Sequence, residues 1–299
     1  MNAGTALVDV CICAYRRRDG LRHCLLSLAA QVGAPAFRVI VADNHAEPMV
    51  AEWLAADRPD LPFDVRVLHA PASNISLARN ACLEAAGADW IAFIDDDEVA
   101  APDWLARLYG ARLDAEVVFG PVRALYPADA PAWLRRGDFL SKRPAMRRGG
   151  YDTGHSANVL MRRAVLGSLR FDPALGHCGG EDTLFFARLH DAGARLALCE
   201  HAFVDEPNDP ARCTFAALLR RSRASGQAHA RVLQMRGQTA ARIAIVAAAK
   251  CLLTGLWALV RLGSPAGWRR ECLRASLHAG VVAQVFGRAA PRIYGSARP

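Results

Sequence analysis

From residue 7 to residue 94, short β-rich runs (7–13, 37–42, 65–69, 90–94) alternate with helical stretches (19–31, 47–56, 76–86). Strands separated by amphipathic helices close into right-handed crossovers, which builds a mainly parallel sheet with helices on both faces. The expected fold class is therefore α/β. In such sheets ligands collect beyond the carboxyl ends of the strands. The residues at those ends include Tyr15, Arg17, Asp43, Asn44 and the run Asp95, Asp96, Asp97 and Glu98.

A chain of 299 residues, 53% of them apolar, can fill one substantial core and still carry a smaller second unit. Between 120 and 200 the pattern turns irregular, with Pro121, Pro127 and Pro131, a basic loop SKRPAMRRGG, and a strand-like YDTGHSANVLMRR. The following GGEDTLFFARLHDAG reads as a helix from near Gly180 to Gly193, with Glu181 and Asp182 in its first turn. After 211 the sequence becomes basic and apolar, so the expected division is a catalytic domain over 1–230 and a helical membrane-association region over 231–299. The run 243–260 is 18 residues long, about 27 Å as a helix and just short of a usual span. Lys250 interrupts it, and Arg236, Arg242, Arg261, Arg269 and Arg270 flank it. That favours an interfacial or re-entrant helix pair, with 279–286 as partner, over a clean crossing.

Nine cysteines at irregular spacing, without CxxC pairs, read as reduced thiols. The N-terminus lacks a cationic region before its apolar run and a small-residue cleavage site, so no signal peptide is expected. Both favour the cytoplasmic side of the inner membrane. Lys and Arg exceed Asp and Glu, 37 against 29. The basic residues are not interleaved with aromatics and form no known nucleic-acid module, so nucleic acid is not an expected partner.

The most specific feature is FIDDDE, residues 93–98, an apolar strand running into four acids. Such density is costly unless a cation sits among them. Asp95 and Asp97 project to one side if strand geometry persists. The plainer reading is a cap for the helix that begins near Pro102, but a cap needs one acid rather than four. In VIVADNHAE, Asp43 follows a strand in the same way, while Asn44 could cap a helix. Glu181 and Asp182 lie at the positive end of a helix dipole, where a carboxylate stays ionised and can act as a base; charge compensation of the helix end is the simpler role.

These features, in this order, resemble glycosyltransferase family 2, inverting enzymes of the GT-A (nucleotide-diphospho-sugar transferase) fold. The resemblance covers roughly residues 8–225 and rests on CICAYRR, VIVADN, NISLARNACLEAAGADWIAFIDDDE and GGED. Within the family, RNACLEAAGADWIAFIDDDE and VVFGPVRALYPADAPAWL resemble the β-glucosyltransferase type of succinoglycan assembly. The resemblance implies a nucleotide-sugar donor, with Asp43 on the nucleobase, Ala14 and Tyr15 against a uridine, and Arg17 and Arg79 near the donor. It implies that Asp95, Asp96 and Asp97 bind ribose and Mn²⁺ or Mg²⁺, with Asp95 and Asp97 as the metal ligands, and that Asp182, beside Glu181, is the catalytic base. Many relatives carry a further His where this chain reads EHAFVDEPND; His201 comes early and Glu206 lies nearer that place. A QxxRW motif, the mark of processive relatives, is absent.

Four weaker signals remain open. Arg220 and Arg221 in LLRRSRASG suit either diphosphate or anionic lipid. His155 and Asn158 either meet a passing sugar or form a buried polar pair. Trp133 either stacks on a sugar or packs. The basic, apolar C-terminus suits a saccharide acceptor linked to polyprenyl diphosphate at the inner-membrane surface. A dehydrogenase is excluded by the glycine-poor turn AYRRRDG and a P-loop kinase by the lack of GxxxxGK[ST]. A phosphatase that places its nucleophile on the first strand is disfavoured, because these aspartates follow the fourth. A non-catalytic membrane-docked scaffold is the remaining alternative.

Overall fold

The computed structural model describes residues 6–57, 60–147 and 149–288. The readings made on the first five residues, on Arg148 of the basic loop and on 289–299 lie outside the described residues. The chain first lays down β1 (Val8–Ala14), α1 (Arg18–Ala29), β2 (Phe37–Asp43), α2 (Val50–Asp57), β3 (Val65–His69), α3 (Ile75–Ala85) and β4 (Trp90–Ile94). There follow β5 (Val99–Ala100), α4 (Trp104–Ala111), β6 (Val117–Phe119), β7 (Val122–Leu125), α5 (Ala132–Gly137), β8 (Met146–Arg147), β9 (Gly150–Tyr151) and β10 (Asn158–Arg162). Then come α6 (Glu181–Asp191), β11 (Leu196–Leu198), β12 (Val204–Pro207), α7 (Phe215–Met235), α8 (Ala240–Val260) and α9 (Pro265–Val285).

Seven strands form one sheet in the order β11, β6, β10, β4, β1, β2, β3. The pairings are parallel except those of β10, which runs antiparallel to both β4 and β6. The sheet is thus mixed and mainly parallel. Strand β1 shows why it holds helices on both faces. Val8, Val10, Ile12 and Ala14 enter a core with Leu21, Leu25 and Leu28 of α1 and Trp104, Leu105 and Leu108 of α4. Cys11 points the other way, to a core containing Ala78 and Cys82 of α3 and Phe185, Phe186 and Leu189 of α6. The period of two along the strand is the cause.

Two compact units result. The first runs to Arg123 and takes in Lys142–His177 and Glu181–Glu206; the second comprises Ala124–Ser141, Cys178–Gly180 and the chain from Pro207 onward. The boundary expected at residue 230 falls inside α7. Helix packing places it earlier: a Cβ on Gly226 of α7 would lie 1.9 Å from the Leu277 carbonyl oxygen, and one on Gly280 of α9 would lie 2.0 Å from that of Arg223. Only glycine permits so close a crossing, which ties the whole of α7 to α9.

Within the second unit the run expected to be an interrupted apolar segment is a single 21-residue helix, α8. Its buried residues Ile243, Ala247, Thr254 and Ala258 make one narrow stripe, and Ile243 and Ala247 share a cluster with Val281 of α9. Most of the remaining face is apolar and exposed, including Ile245, Leu252, Leu253, Leu256, Trp257 and Leu259. Residues 279–286 belong to the end of α9 and the residue after it. Trp133 packs here between Phe139 (5.7 Å between ring centroids) and Phe215 (6.0 Å), with the Arg269 guanidinium 4.6 Å from its ring centre. Of the two roles left open for it, these contacts are those of packing. Arg220 and Arg221 are exposed on α7.

Asn158 is also a core residue. It is fully buried, its Oδ1 accepts from the Trp104 indole at 2.8 Å, and its amide donates to the carbonyls of Pro121 and Ala202. No hydrogen-bonding capacity on those atoms is turned toward a sugar, so Asn158 is removed from the acceptor candidates. Asn158→Ala should strand one buried donor and two carbonyls and lower stability by about 2–4 kcal/mol. Urea denaturation followed by circular dichroism measures this; a change under about 0.5 kcal/mol would refute the role, that being the scale of an ordinary surface substitution.

Candidate active site

The carboxyl ends of β1, β2 and β4 lie side by side in the parallel sheet, so residues far apart in sequence share one edge of the first unit. Beyond β4 the chain does not continue as a strand. It makes a turn in which the Glu98 N–H donates to the Asp95 carbonyl (3.2 Å) and the Asp95 N–H to Glu98 Oε2 (2.9 Å). The strand geometry on which the pairing of Asp95 with Asp97 was conditioned therefore ends at Ile94, and within the turn Asp95 and Asp97 are partly exposed while Asp96 and Glu98 are buried. None of the four caps α4; Asp103 stands at that N-cap without a side-chain capping bond and pairs with Arg107 at 2.6 Å.

Two resident cations hold the turn. Arg17 Nη1 lies 2.8 Å from Asp96 Oδ1 and 3.1 Å from Asp97 Oδ2, and the Tyr15 N–H donates to Asp96 Oδ2 at 2.8 Å. Burial pushes Asp96 up to about 7 despite the Arg17 charge. On the other side Lys142 Nζ sits 2.8 Å from Glu206 and 3.8 Å from Glu98, both glutamates being buried. Burial would lower the Lys142 pKa, but Glu98 and Glu206 outweigh it and hold the amine charged. Burial, with the charge of Asp95 next, raises Glu98 well above its usual range. Burial likewise raises Asp95, against Lys142 and Arg79. His201, one alternative for a further ligand, is exposed, whereas Glu206 faces Lys142.

At β2 the structure departs from expectation. Asp43 is fully buried, and its two oxygens accept from the backbone N–H groups of His45, Met49 and Val50 and from His45 Nδ1. Burial raises its pKa, but the bonds from Val50, His45 and Met49 prevail and hold it below its ordinary value. With both oxygens engaged by its own loop, Asp43 organises that loop and does not present a face to a nucleobase. His45 joins the two strand ends: the Arg16 N–H donates to its Nε2 at 2.6 Å, which leaves the proton on Nδ1 for Asp43. Tyr15 stacks on His45 at 5.2 Å and Trp53 meets its edge at 5.1 Å. Ala14 is packed in the core and its carbonyl accepts from Asn44, so only Tyr15 of that pair is open. Asn44 caps no helix; its Oδ1 accepts from the Asn74 N–H, and Asn74 caps α3.

Helix α3, so anchored, carries Arg79 beneath the edge. Its Nη1 lies 2.7 Å from Glu181 Oε1 and 2.8 Å from Asp182 Oδ1. Arg79 therefore braces the two acids at the start of α6 rather than standing open to a donor. Gly179 and Gly180, with φ of 85° and 94°, turn the chain into that helix, a conformation that side chains resist. The two acids differ. Glu181 is 2% exposed, and burial, then the neighbouring Asp182 charge, pushes it up to about 7. The Asp182 side chain keeps 20% of its surface open; its Oδ1 also accepts from Ser156 Oγ at 2.9 Å and its Oδ2 from the Ser156 N–H at 3.2 Å. Asp182 is thus aimed and accessible, and Glu181 is internal.

His155 lies in the turn before β10, not on a strand. Both ring nitrogens are buried without a hydrogen-bond partner, and burial and the Lys142 charge press its pKa down to about 4. Sequence reasoning missed His45, Ser156 and Lys142. Lys142 left a signal: it is one of two lysines in a chain whose other basic residues are arginine. A compact ammonium fits between two buried glutamates where a guanidinium fork would not.

The chain is 42% identical over 98% of its length, and 97% of the other's, to succinoglycan biosynthesis protein ExoM of Rhizobium meliloti (strain 1021). It is 28% identical over 66% of its length, and 67% of the other's, to succinoglycan biosynthesis protein ExoW of the same organism. The crystal structure of S. aureus TarS 1–349 in complex with UDP superposes with a TM-score of 0.53 over 94% of this chain and 92% of that one, at 16% identity, which shows the GT-A-like fold. Residues 9–170 match the family described as Glycosyl transferase family 2, and the chain belongs to that family of glycosyltransferases.

Proposed function

We propose that the chain transfers a sugar from a nucleoside-diphosphate donor, UDP-glucose being the first to test, to a hydroxyl of a saccharide acceptor, with inversion, in exopolysaccharide synthesis. One observation carries this reading: an accessible carboxylate, Asp182, is oriented by Arg79 and Ser156 at the start of α6, near enough for its charge to act on Asp95 beyond β4. The succinoglycan relatives support the pathway class, and UDP in the TarS structure supports the donor class.

In the proposed reaction the acceptor oxygen attacks the anomeric carbon opposite the diphosphate. The new C–O bond forms as the bond to the phosphate oxygen breaks, and Asp182 takes the hydroxyl proton. Glu181 acts as a positioning residue, holding Arg79 beneath Asp182. Tyr15, partly exposed beside the strand ends and stacked on His45, is the aromatic ring available to a base.

The same edge fits Mn²⁺ or Mg²⁺. Asp95 and Asp97 present hard oxygen donors, and no described side chain hydrogen-bonds the Asp95 carboxylate. No group of three metal-ligating side chains converges among the described residues, so phosphate oxygens would complete the shell. When bound, the ion would supply positive charge to the leaving diphosphate. Asp182→Asn should lower kcat by about 10²–10⁴ while UDP affinity stays within about twofold. Turnover close to the wild type would remove Asp182 from the base role.

We further propose that the exposed face of α8 docks on an anionic bilayer, the cytoplasmic leaflet of the inner membrane, where a polyprenyl-diphosphate-linked acceptor would reside. The support is an exposed apolar face bearing Leu252, Leu256 and Trp257 with the exposed basic residues Arg242, Lys250 and Arg261 on the same helix or at its end. Co-flotation with phosphatidylglycerol-containing vesicles should be strong for the wild type and lost when Leu252, Leu256 and Trp257 are changed together to Ser. Equal flotation of the two proteins would place membrane contact elsewhere.

A further inference from the structure

Arg17 engages Asp97, one of the two carboxylates given above to a divalent ion. Its Nη1 bridges Asp96 and Asp97, at 2.8 and 3.1 Å. The two carboxylates are not equivalent. Asp96 is buried and takes a second bond from the Tyr15 N–H, so it is fixed. Asp97 is partly exposed and pairs with the same guanidinium. The start of α1 is pressed against this turn: a Cβ on Gly20 would lie 2.7 Å from the Asp96 carbonyl oxygen. Arg16, with φ of 59°, turns the chain from β1 into that helix. The Arg17 side chain is nonetheless 44% exposed, so its guanidinium can swing into solvent without opening the core.

We propose that Arg17 is a resident counter-ion that occupies Asp97 until a divalent cation arrives together with the donor diphosphate, so that metal and nucleotide bind as a unit. This rests on the nucleotide and metal reading given above. A lone ion would meet at most Asp95 and Asp97 and would have to break the Arg17 contact for them. An ion carrying a diphosphate brings its own oxygen ligands, and the phosphates give the released guanidinium a new anionic partner. Lys142, on the Glu98 and Glu206 side, does not touch Asp97 and cannot take this part.

The test is calorimetric titration of Mn²⁺ alone into the full chain, then in the presence of UDP, for the wild type, Arg17→Gln and Arg17→Lys. Without UDP, Arg17→Gln should bind Mn²⁺ about tenfold more tightly than the wild type, the scale of one charge-assisted pair. Arg17→Lys should fall back toward the wild type, and UDP should raise Mn²⁺ affinity by a larger factor in the wild type than in Arg17→Gln. Adding Asp97→Asn to Arg17→Gln should abolish the gained affinity. Equal Mn²⁺ affinity of Arg17→Gln and wild type, or a gain that survives Asp97→Asn, would overturn the proposal. If no protein binds UDP with Mn²⁺, the nucleotide reading fails, while the metal-only comparison still decides the role of Arg17.

Discussion

Carboxylates crowded at one sheet edge repel one another and are costly to bury, so their arrangement depends on the cations placed among them. Arg79 does this for Glu181 and Asp182, Arg17 for Asp96 and Asp97, and Lys142 for Glu98 and Glu206. Each cation comes from a different part of the chain: α3, the N-cap of α1, and the loop that follows α5. The sheet order is what brings them together. Removing one member of a buried pair typically costs about 3–5 kcal/mol, so Arg79 with Glu181 and Lys142 with Glu206 hold the helix start and the turn in place, while the half-exposed Arg17 is held less firmly.

The pairs also divide labour within each acidic run. Where adjacent acids sit at a strand end or a helix start, one is buried with the cation and the next is left open: Glu181 against Asp182, Asp96 against Asp97. The buried partner holds the cation, and the open one can meet a ligand. A single acid at either place would have to serve both needs.

Much of this was legible in the sequence because it is local. The alternation of apolar runs placed β1 and β4 within a residue of where they lie, and the glycine pair with two acids located α6. The acidic run and the Glu181–Asp182 pair stood out by their chemistry at a strand end and a helix start, while the choice of Asp182 within the pair came from the family resemblance. What was not legible is non-local. Antiparallel β10 slips between β4 and β6 although it follows β6 in the chain, and that placement turns Asn158 to the Trp104 indole. Asp43 looked like a ligand for a base because a strand-end aspartate can do that; only the fold shows its oxygens taken by the loop of His45, Met49 and Val50. The boundary of the helical unit likewise depends on Gly226 meeting α9, which no local pattern in α7 reveals.

In the proposed reaction the strand-end edge receives a nucleoside diphosphate together with a divalent ion. Calorimetry of UDP against the purified full chain, first with Mn²⁺ and then with EDTA, tests that most directly. Saturable binding with Mn²⁺ that is lost or greatly weakened in EDTA is the predicted result. No heat of binding in either condition, from a protein shown to be folded, would contradict it.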